Sequence, residues 1–426
     1  MKIDMELAYG KGTLPLKIEG RVELVTTSSQ PPGKDPASII KNLFKKPLAS
    51  PPLKEIIRPG SKTALVVSDH TRVTGSKVFL PLLVKEVEEA GVSSRDITII
   101  IATGMHRSLK KGEIEDIVGK DIMDAVEIAV HDAEKERDLV YVGTTSRGTP
   151  VKLNKHYMEA HFKVLTGSIV YHYFAGFGGG RKSIIPGIAS RDTVLANHKL
   201  VFDPAREGVH PKVYPGSLEG NPVHEDMLES THLAPPDFIL NTILDIKGHI
   251  VDGVGGNYER AHLAGCHKAK ETFSAPIKEK ADLVIASCGG HPKDLNMIQI
   301  QKTLFNVSRA VKEGGTIILL AECSGGMGSD RFLHWFDYPD PGKAEKVLRK
   351  KFELNGFTAL SIMNICRKSQ VILLSQLPDE TVQKMRMEPA KNLEEALQKS
   401  KNNQNKASLT YIMPWGSTTV PLMTGI

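Results

Sequence analysis

VLTGSIVYHYFAGFGGGRKSIIPGIASRDTVLANH, residues 164–198, is the stretch from which the fold and the function are best predicted. It opens with an apolar run that has the length of a buried strand. Four glycines follow, and they allow a backbone to approach an anion closely. Lys182 can supply a charge or a nucleophilic amine, and His172 and His198 can transfer protons or bind a metal. The stretch therefore predicts a strand that ends in a loop holding a phosphorylated cofactor with reactive chemistry.

Short apolar runs alternate with amphipathic segments along the rest of the chain. The predicted strands are 63–68, 97–102, 164–170, 282–286, 316–320, 371–375 and 409–413. The predicted helices are 78–90, 109–118, 299–311, 344–354 and 393–399. This alternation is typical of an α/β fold with mainly parallel sheets.

Length and charge pattern predict two domains. A chain of 426 residues is too long for one ordinary core. The charged segment 268–280 is predicted to be a linking helix or hinge. We therefore place an N-terminal cofactor-binding domain at 1–272 and a C-terminal α/β domain at 273–426. Residues 1–25 alternate around two glycines and predict a β-hairpin.

Composition excludes several classes of protein. The net charge of +6 is modest and its basic residues are scattered, so nucleic-acid binding is not expected. The four cysteines form no CxxC pair, which argues against zinc ribbons, iron–sulfur motifs and disulfide frameworks. No apolar run approaches the ~20 residues of a membrane helix, and the N-terminus lacks a signal-peptide core. We expect a cytoplasmic protein.

Polar clusters follow four of the predicted strands. They are Asp69-His70-Thr71-Arg72, Thr103-Gly104-Met105-His106-Arg107, the glycine loop, and Gly289-Gly290-His291-Pro292-Lys293-Asp294. Ligands of open α/β sheets bind beyond the carboxyl ends of the strands. The clusters therefore predict an active site in the cleft between the two domains.

The glycine loop is not a P-loop. Counting from Gly176, the second glycine of G-x-x-x-x-G-K-[ST] would fall at Arg181, and Pro186 interrupts the helix that should follow. The alternative to a cofactor cradle is a structural glycine loop with a solvated lysine.

Several other residues have a functional interpretation and also a structural or solvent-exposed one. His106 and His172 each follow a strand and could form an acid/base pair, although a lone histidine is more often structural. Arg72 suits a carboxylate or a phosphate, or a surface ion pair. Gln299 and Lys302 share a helix face that could offer an amide and a cation to a hydroxy-carboxylate, or simply be solvated.

Together, these segments resemble the nickel-pincer lactate racemase family of 2-hydroxy acid racemases and epimerases. The resemblance extends from about residue 10 to about residue 415, and the order and spacing of the motifs make it specific. It implies two α/β domains with the site between them. It also implies a nickel-pincer nucleotide as cofactor, a nickel pyridinium-3-thioamide-5-thiocarboxylic acid mononucleotide.

The resemblance also implies a role for each matching residue. Lys182 would form the thioamide tether and His198 would ligate nickel, while His106 and His172 would be the catalytic acid/bases. Arg72, Gln299 and Lys302, the last two in the C-terminal domain, would bind the substrate. Asp69, His70, Thr71, Arg72 and Pro186 would bind the cofactor.

The implied reaction is inversion at C2 of a 2-hydroxy acid by hydride abstraction and return. The α-hydrogen beside a carboxylate is a very poor acid, and its removal as hydride avoids a dianion. The hydroxyl proton leaves and returns on opposite sides, so two bases are needed. The expected partners are a small 2-hydroxy acid and the proteins that synthesise the cofactor. Alternatives are an oxidoreductase or lyase on the same scaffold, or a non-catalytic nucleotide- or metal-binding protein.

Two departures from the lactate-specific pattern concern the substrate. Position 298 is Ile298, where the family's pattern has a tyrosine, and residues 358–366 contain no tryptophan. Lactate, malate, a longer aliphatic hydroxy acid and a sugar acid are all left open as substrates.

Overall fold

The computed structural model describes residues 2–27, 35–401 and 408–424. The helices are α1 (Pro36–Lys45), α2 (Leu53–Ile56), α3 (Ser76–Glu89), α4 (Lys111–Val118), α5 (Lys120–Ala125), α6 (Lys155–Glu159), α7 (Arg191–Lys199), α8 (Pro222–Leu233), α9 (Arg260–Phe273), α10 (Met297–Val307), α11 (Pro341–Lys350), α12 (Leu354–Lys368), α13 (Asp379–Lys384) and α14 (Leu393–Ser400). The strands are β1 (Lys2–Tyr9), β2 (Gly12–Glu19), β3 (Arg21–Leu24), β4 (Thr63–Ser68), β5 (Ile97–Ala102), β6 (Glu127–Val130), β7 (Leu139–Thr144), β8 (Pro150–Asn154), β9 (Phe162–Ser168), β10 (Tyr171–His172), β11 (Gly176–Phe177), β12 (Phe238–Leu244), β13 (Ile250–Gly256), β14 (Ser274–Ile277), β15 (Ala281–Ser287), β16 (Val311–Leu320), β17 (Gln370–Leu374), β18 (Glu388–Ala390), β19 (Leu409–Met413) and β20 (Val420–Met423). No helix in these ranges is long and apolar enough to cross a membrane.

The described residues form two compact units. Unit A comprises 35–204 and 209–272, and unit B comprises 2–27, 205–208, 273–401 and 408–424. Each unit contains a six-stranded sheet, and most strand pairs in both sheets are parallel. The predicted α/β class with mainly parallel sheets is confirmed.

The sheet of unit A has the order β13-β12-β9-β4-β5-β6. Only the edge pair β13–β12 is antiparallel. The strand β4 reads Thr-Ala-Leu-Val-Val-Ser and is buried on both faces, which is why it is a continuous apolar run and not an alternating one. Because β4 lies between β5 and β9, the loops that follow these three strands leave the same edge of the sheet.

The sheet of unit B has the order β18-β17-β16-β15-β19-β3, and all of its strand pairs are parallel. Its edge strand comes from the N-terminus: Arg21 pairs with Leu409, and Leu24 pairs with Ile412. The predicted N-terminal hairpin, β1 with β2, belongs to the same unit, where Leu7 packs in the core.

The division of the chain into units A and B departs at two places from a single domain boundary between 272 and 273. Residues 2–27 and 205–208 group with the second half of the chain. The physical reason for the first difference is the pairing of β3 with β19, a contact between the two ends of the chain that no local pattern encodes.

Two local predictions are corrected. The segment 268–280, predicted to be a linking helix or hinge, is helical only to Phe273, where α9 ends; the strand β14 follows and pairs in parallel with β20. The predicted helix 344–354 corresponds to α11, which begins after an Asp340 N-cap, and the long helix α12 follows it after a short break.

Gly176 is a position where only glycine is expected to be tolerated. Its φ is +74°, and an added Cβ would lie 2.0 Å from the carbonyl oxygen of Ser217. We expect Gly176→Ala to lower the free energy of unfolding by at least about 2 kcal/mol in chemical denaturation. Gly112→Ala, in α4 with open space around it, is the control and is expected to be neutral or slightly stabilising. Equal stability of the two variants would contradict this account.

Candidate active site

Unit A brings most of the predicted site residues to one edge of its sheet. Asp69 directly follows β4, Thr103 directly follows β5, and the glycine loop comes after β9. The backbone N–H of Gly104 donates to the carbonyl of Gly187 at 3.0 Å, so the loops after β5 and β9 are in contact. Pro186 lies at this contact, with its carbonyl oxygen 3.2 Å from the position of a Cβ on Gly104.

Asp69 and His106 form a hydrogen-bonded pair. The Asp69 side chain is almost fully buried, and its Oδ2 lies 2.6 Å from Nδ1 of His106. The other oxygen, Oδ1, accepts from the Thr71 hydroxyl at 2.7 Å and from the Thr71 backbone N–H at 3.1 Å. Burial alone would raise the pKa of Asp69, but His106, Thr71 and the charge of Arg72 together hold this pKa below its ordinary value.

An ionised Asp69 fixes the tautomer of His106. A carboxylate only accepts hydrogen bonds, so Nδ1 of His106 donates the proton. The lone pair of the neutral imidazole is then on Nε2. The His106 side chain is 44% exposed, which leaves it accessible to a substrate. The pair has the orientation that a general base requires.

We expect Asp69→Asn to lower kcat about 10²-fold or more, because an asparagine can favour the wrong tautomer of His106. The measurement is steady-state kinetics on protein made together with the cofactor-synthesis proteins that the sequence resemblance implies. Thr71→Val removes the hydrogen bond that the Thr71 hydroxyl donates to Asp69 but leaves the charge of the carboxylate in place. We expect it to have a smaller effect on kcat. A kcat unchanged in Asp69→Asn would show that the tautomer of His106 is not important.

His172 is held differently from His106. It lies in the two-residue strand β10, which pairs with β11. Its Nδ1 accepts hydrogen bonds from the backbone N–H groups of Phe174 at 3.1 Å and of Ala175 at 3.3 Å. An accepting Nδ1 places the proton of a neutral imidazole on Nε2. His172 therefore offers an N–H where His106 offers a lone pair.

Lys182 lies in a single 3₁₀ turn, Gly180–Ser183, at the end of the glycine loop. Its side chain keeps some exposed surface. Burial and the positive charges of Arg181 and Arg72 lower the pKa of Lys182 well below 10.5. The deprotonated amine, the nucleophilic form, is thus more populated than in an ordinary lysine.

His198 lies in the last turn of α7, whose N-cap is Ser190. It is buried, and its Nδ1 has no hydrogen-bond partner among the described residues. The ring of Phe174 meets it edge to face, with 5.4 Å between ring centroids. Burial and the charge of Lys182 lower the pKa of His198 to about 3, so its imidazole is neutral at physiological pH. Neutral imidazole is the form that binds metals.

His70 and Arg72 lie at the rim of this edge. Nε2 of His70 is 3.8 Å from a carboxylate oxygen of Glu113, which also forms a bidentate pair with Arg107. The side chain of Arg72 is exposed, and its charge acts on both Asp69 and Lys182. Its Nη1 donates to the carbonyl of Thr71 at 3.3 Å, and the exposed guanidinium is accessible to an anionic ligand.

Gln299 and Lys302 belong to unit B. They lie near the start of α10, where the Asn296 side chain caps the helix by accepting from the N–H of Gln299 at 3.0 Å. Gln299 is half-buried, Lys302 is exposed, and Ile298 precedes them. Three positions apart, they share a helix face as predicted.

The structure also reveals residues beneath the glycine loop that sequence reasoning missed. Arg181, His224, His262 and Cys266 are all buried in unit A. In the sequence, Arg181 served only to argue against a P-loop. No sequence signal singles it out, because the direction of its side chain relative to that of Lys182 is set by the folded turn.

In the part of the chain that the structure describes, no group of three or more His, Cys, Asp or Glu side chains is arranged to hold a metal ion. His198 could therefore supply one protein ligand, but a metal bound there would need its other ligands from elsewhere. A cofactor with its own donor atoms meets that requirement.

Comparisons with known proteins cover almost the whole chain. Residues 9–209 match the family model of the lactate racemase N-terminal domain, and residues 277–420 match that of the lactate racemase C-terminal domain. A lactate racemase of Thermoanaerobacterium thermosaccharolyticum is 34% identical over 427 residues, covering 98% of this chain and 99% of that protein. A lactate racemase of Lactiplantibacillus plantarum is 32% identical over 424 residues, covering 97% and 98%.

Solved structures give the same result for the fold. The lactate racemase apoprotein of Thermoanaerobacterium thermosaccharolyticum aligns with a TM-score of 0.91 and 33% identity, over 99% of this chain and 100% of that chain. A Thermotoga maritima protein aligns with a TM-score of 0.68 over 92% of this chain and 98% of that chain; at 19% identity this likeness concerns the fold alone.

Proposed function

Because this chain belongs to the lactate racemase family, and is thus an isomerase, we propose that it inverts C2 of a 2-hydroxy acid by hydride abstraction and return. The observation on which the proposal rests most is the grouping in unit A of an amine, a neutral buried imidazole and an Asp–His pair. These are Lys182, His198 and Asp69 with His106.

The residues around Lys182 fit a covalently attached nickel-pincer nucleotide. The pKa of Lys182 is lowered by burial and by two neighbouring cations, which favours the neutral amine needed to form a thioamide. When bound, the electron-poor pyridinium–nickel group would supply an acceptor for the α-hydrogen as hydride. Asp69, His70, Thr71, Arg72 and Pro186 are proposed to bind this cofactor. Its supply would depend on cofactor-synthesis proteins.

His198 is proposed as the protein ligand of nickel. Its imidazole is buried and neutral, which is the form that binds metals. Imidazole is a suitable nickel donor beside soft sulfur ligands.

His106 and His172 are proposed to transfer the hydroxyl proton. Asp69 orients His106 with a lone pair on Nε2, which can accept that proton. The backbone amides of Phe174 and Ala175 orient His172 with an N–H on Nε2, which can hydrogen-bond to the oxygen on the other side. The two histidines are thus held in complementary states, as an inversion with a planar intermediate requires.

Arg72 is proposed to bind the substrate carboxylate, because its side chain is exposed at the same edge of the sheet. The assignment of Gln299 and Lys302 to substrate binding rests on the sequence resemblance. The substrate class rests on Ile298 and on the lack of tryptophan in 358–366. Both favour a substrate larger or more polar than lactate, such as malate, a longer aliphatic hydroxy acid or a sugar acid.

The proposal is tested on protein made together with the cofactor-synthesis proteins. Single enantiomers of lactate, malate, longer aliphatic 2-hydroxy acids and sugar acids are incubated with it, and the products are separated by chiral chromatography. We expect one class to approach an equimolar mixture of enantiomers or, for a sugar acid, the equilibrium mixture of the two C2 epimers. Accumulation of a keto acid would indicate an oxidoreductase, and stoichiometric binding without turnover would indicate a non-catalytic protein.

The fate of the α-hydrogen distinguishes hydride return from proton abstraction. With a substrate deuterated at C2 in ordinary water, we expect the inverted product to keep most of its deuterium, because a hydride does not exchange with solvent. Mass spectrometry of the separated products measures the label. Product that has lost its deuterium to solvent would contradict the hydride mechanism, even if racemisation itself is observed.

A further inference from the structure

The guanidinium of Arg181 is buried beneath the glycine loop. Its Nη2 donates to the carbonyl oxygens of Ala175 at 2.7 Å and of Phe177 at 3.3 Å. Its Nη1 lies 2.9 Å from Nε2 of His262. Arg181 is only 2% exposed, and no carboxylate within the described ranges bonds to it. A buried cation held by carbonyls and an imidazole is costly to place, so a specific role is expected of it.

The hydrogen bond between Arg181 and His262 depends on the tautomer of His262. Nε2 of His262 also lies 3.0 Å from the carbonyl oxygen of Gly178. An arginine only donates, so a hydrogen bond from Arg181 requires that Nε2 accept and that the imidazole proton be on Nδ1; the carbonyl of Gly178 is then a neighbour of Nε2 and not its hydrogen-bond partner. Burial and the charge of Arg181 lower the pKa of His262 to about 3, which keeps it a neutral acceptor.

The residues on both sides of Lys182 are anchored. The N–H of Gly180 donates to Oδ1 of Asn241 at 2.7 Å, and the hydroxyl of Ser183 donates to the carbonyl of Thr166 at 2.8 Å. Arg181 adds bonds to two carbonyls of the loop and to His262. Lys182 is therefore the residue of the turn whose side chain is left for a ligand, while its neighbours hold the backbone in place.

We propose that Arg181 is a positioning residue, which fixes the glycine loop from below so that Lys182 is presented for cofactor attachment. The inference rests on the proposed function of Lys182 as the tether. Because Arg181 is buried under the loop, its proposed role is to hold the backbone and not to contact substrate or cofactor. His262 supports Arg181 by accepting the hydrogen bond that a buried guanidinium would otherwise lack.

The test measures the fraction of chains with a cofactor adduct on the Lys182 peptide, by mass spectrometry of protein made with the cofactor-synthesis proteins. Arg181→Met keeps the side-chain length but removes the donors, and we expect at least a tenfold lower adduct fraction. Arg181→Lys, which keeps the charge but not the planar fork, should be intermediate. His262→Gln keeps an acceptor near Nε2 and should remain close to wild type, whereas His262→Leu should behave like Arg181→Met.

Tyr157→Phe is the control for lost stability. It removes a buried hydrogen bond in the same unit, from the Tyr157 hydroxyl to the carbonyl of Ala234 at 3.0 Å. Its melting temperature should fall while its adduct fraction stays that of wild type. Hydrogen exchange of the amides of 175–182 in cofactor-free protein is a second readout, and we expect it to be about tenfold faster in Arg181→Met but unchanged in Tyr157→Phe.

The outcomes separate the two proposals. Equal adduct fractions in folded wild type and Arg181→Met would overturn the positioning role alone. An equally large loss in Tyr157→Phe would overturn it too, since stability would then explain the effect. Wild-type protein without any adduct would instead contradict the tether at Lys182.

Discussion

Replacing Lys182 by alanine is expected to abolish both the cofactor adduct and the racemase activity. The amine of Lys182 is proposed to be the point of covalent attachment, and the low pKa caused by burial and by Arg181 and Arg72 makes it more nucleophilic than an ordinary lysine. Losing the reactive group from the site should lower kcat by about 10³-fold or more. Intact-mass and peptide mass spectrometry measure the adduct, and nickel is quantified on the same sample.

Two variants make this experiment specific. Lys182→Arg keeps a cation, but a guanidinium is too weak a nucleophile, so it is expected to fail like alanine. Lys199→Ala removes an exposed lysine at the end of α7 and should leave adduct and activity unchanged. Full activity in Lys182→Ala would rule out the tether.

His106→Ala and His172→Ala are each expected to stop inversion while the adduct on Lys182 stays in place. Loss of a positioned acid or base typically costs about 10²–10⁴-fold in rate, and an inversion needs both. Chiral analysis of the product and mass spectrometry of the adduct, made on the same preparations, measure the two effects separately. The exposed His232, which contacts Glu259, provides a control, and His232→Ala should behave as wild type.

His172 needs one further variant because it also supports its loop. Its Nδ1 accepts from the amides of Phe174 and Ala175, so His172→Ala removes a structural contact as well as a base. In His172→Asn, the amide oxygen can replace Nδ1 as acceptor without providing a base. We expect it to keep the loop and the adduct but to remain inactive. Loss of the adduct in both His106→Ala and His172→Ala would mean that these histidines are structural.

Much of unit A could be predicted because its strands are indicated by short contiguous stretches of sequence. The strands β4 and β5 are continuous apolar runs ended by polar residues, and their bounds match the prediction. Once these strands are taken as parallel neighbours, Asp69 and His106 must lie near each other. The hydrogen bond between them follows from a topology that the alternation of strands and helices already indicates.

The parts that could not be predicted depend on contacts between distant residues. Arg181 and His262 are 81 positions apart, and neither belongs to a pattern that indicates the other. The two roles of adjacent Arg181 and Lys182 differ only in the direction of their side chains, which a sequence does not show. The pairing of β3 also could not be predicted, because its partner β19 lies at the opposite end of the sequence.

The pairing of β3 with β19 has a consequence for folding during translation. β19 lies between β15 and β3, so the sheet of unit B stays incomplete until residues 409–413 have been synthesised. The early strand β3 must therefore wait for β19, which is synthesised much later. Unit A, whose described residues end at 272, has no such dependence and can fold while the rest of the chain is still being translated. Truncation near the C-terminus should accordingly damage the half of the protein that contains its N-terminus.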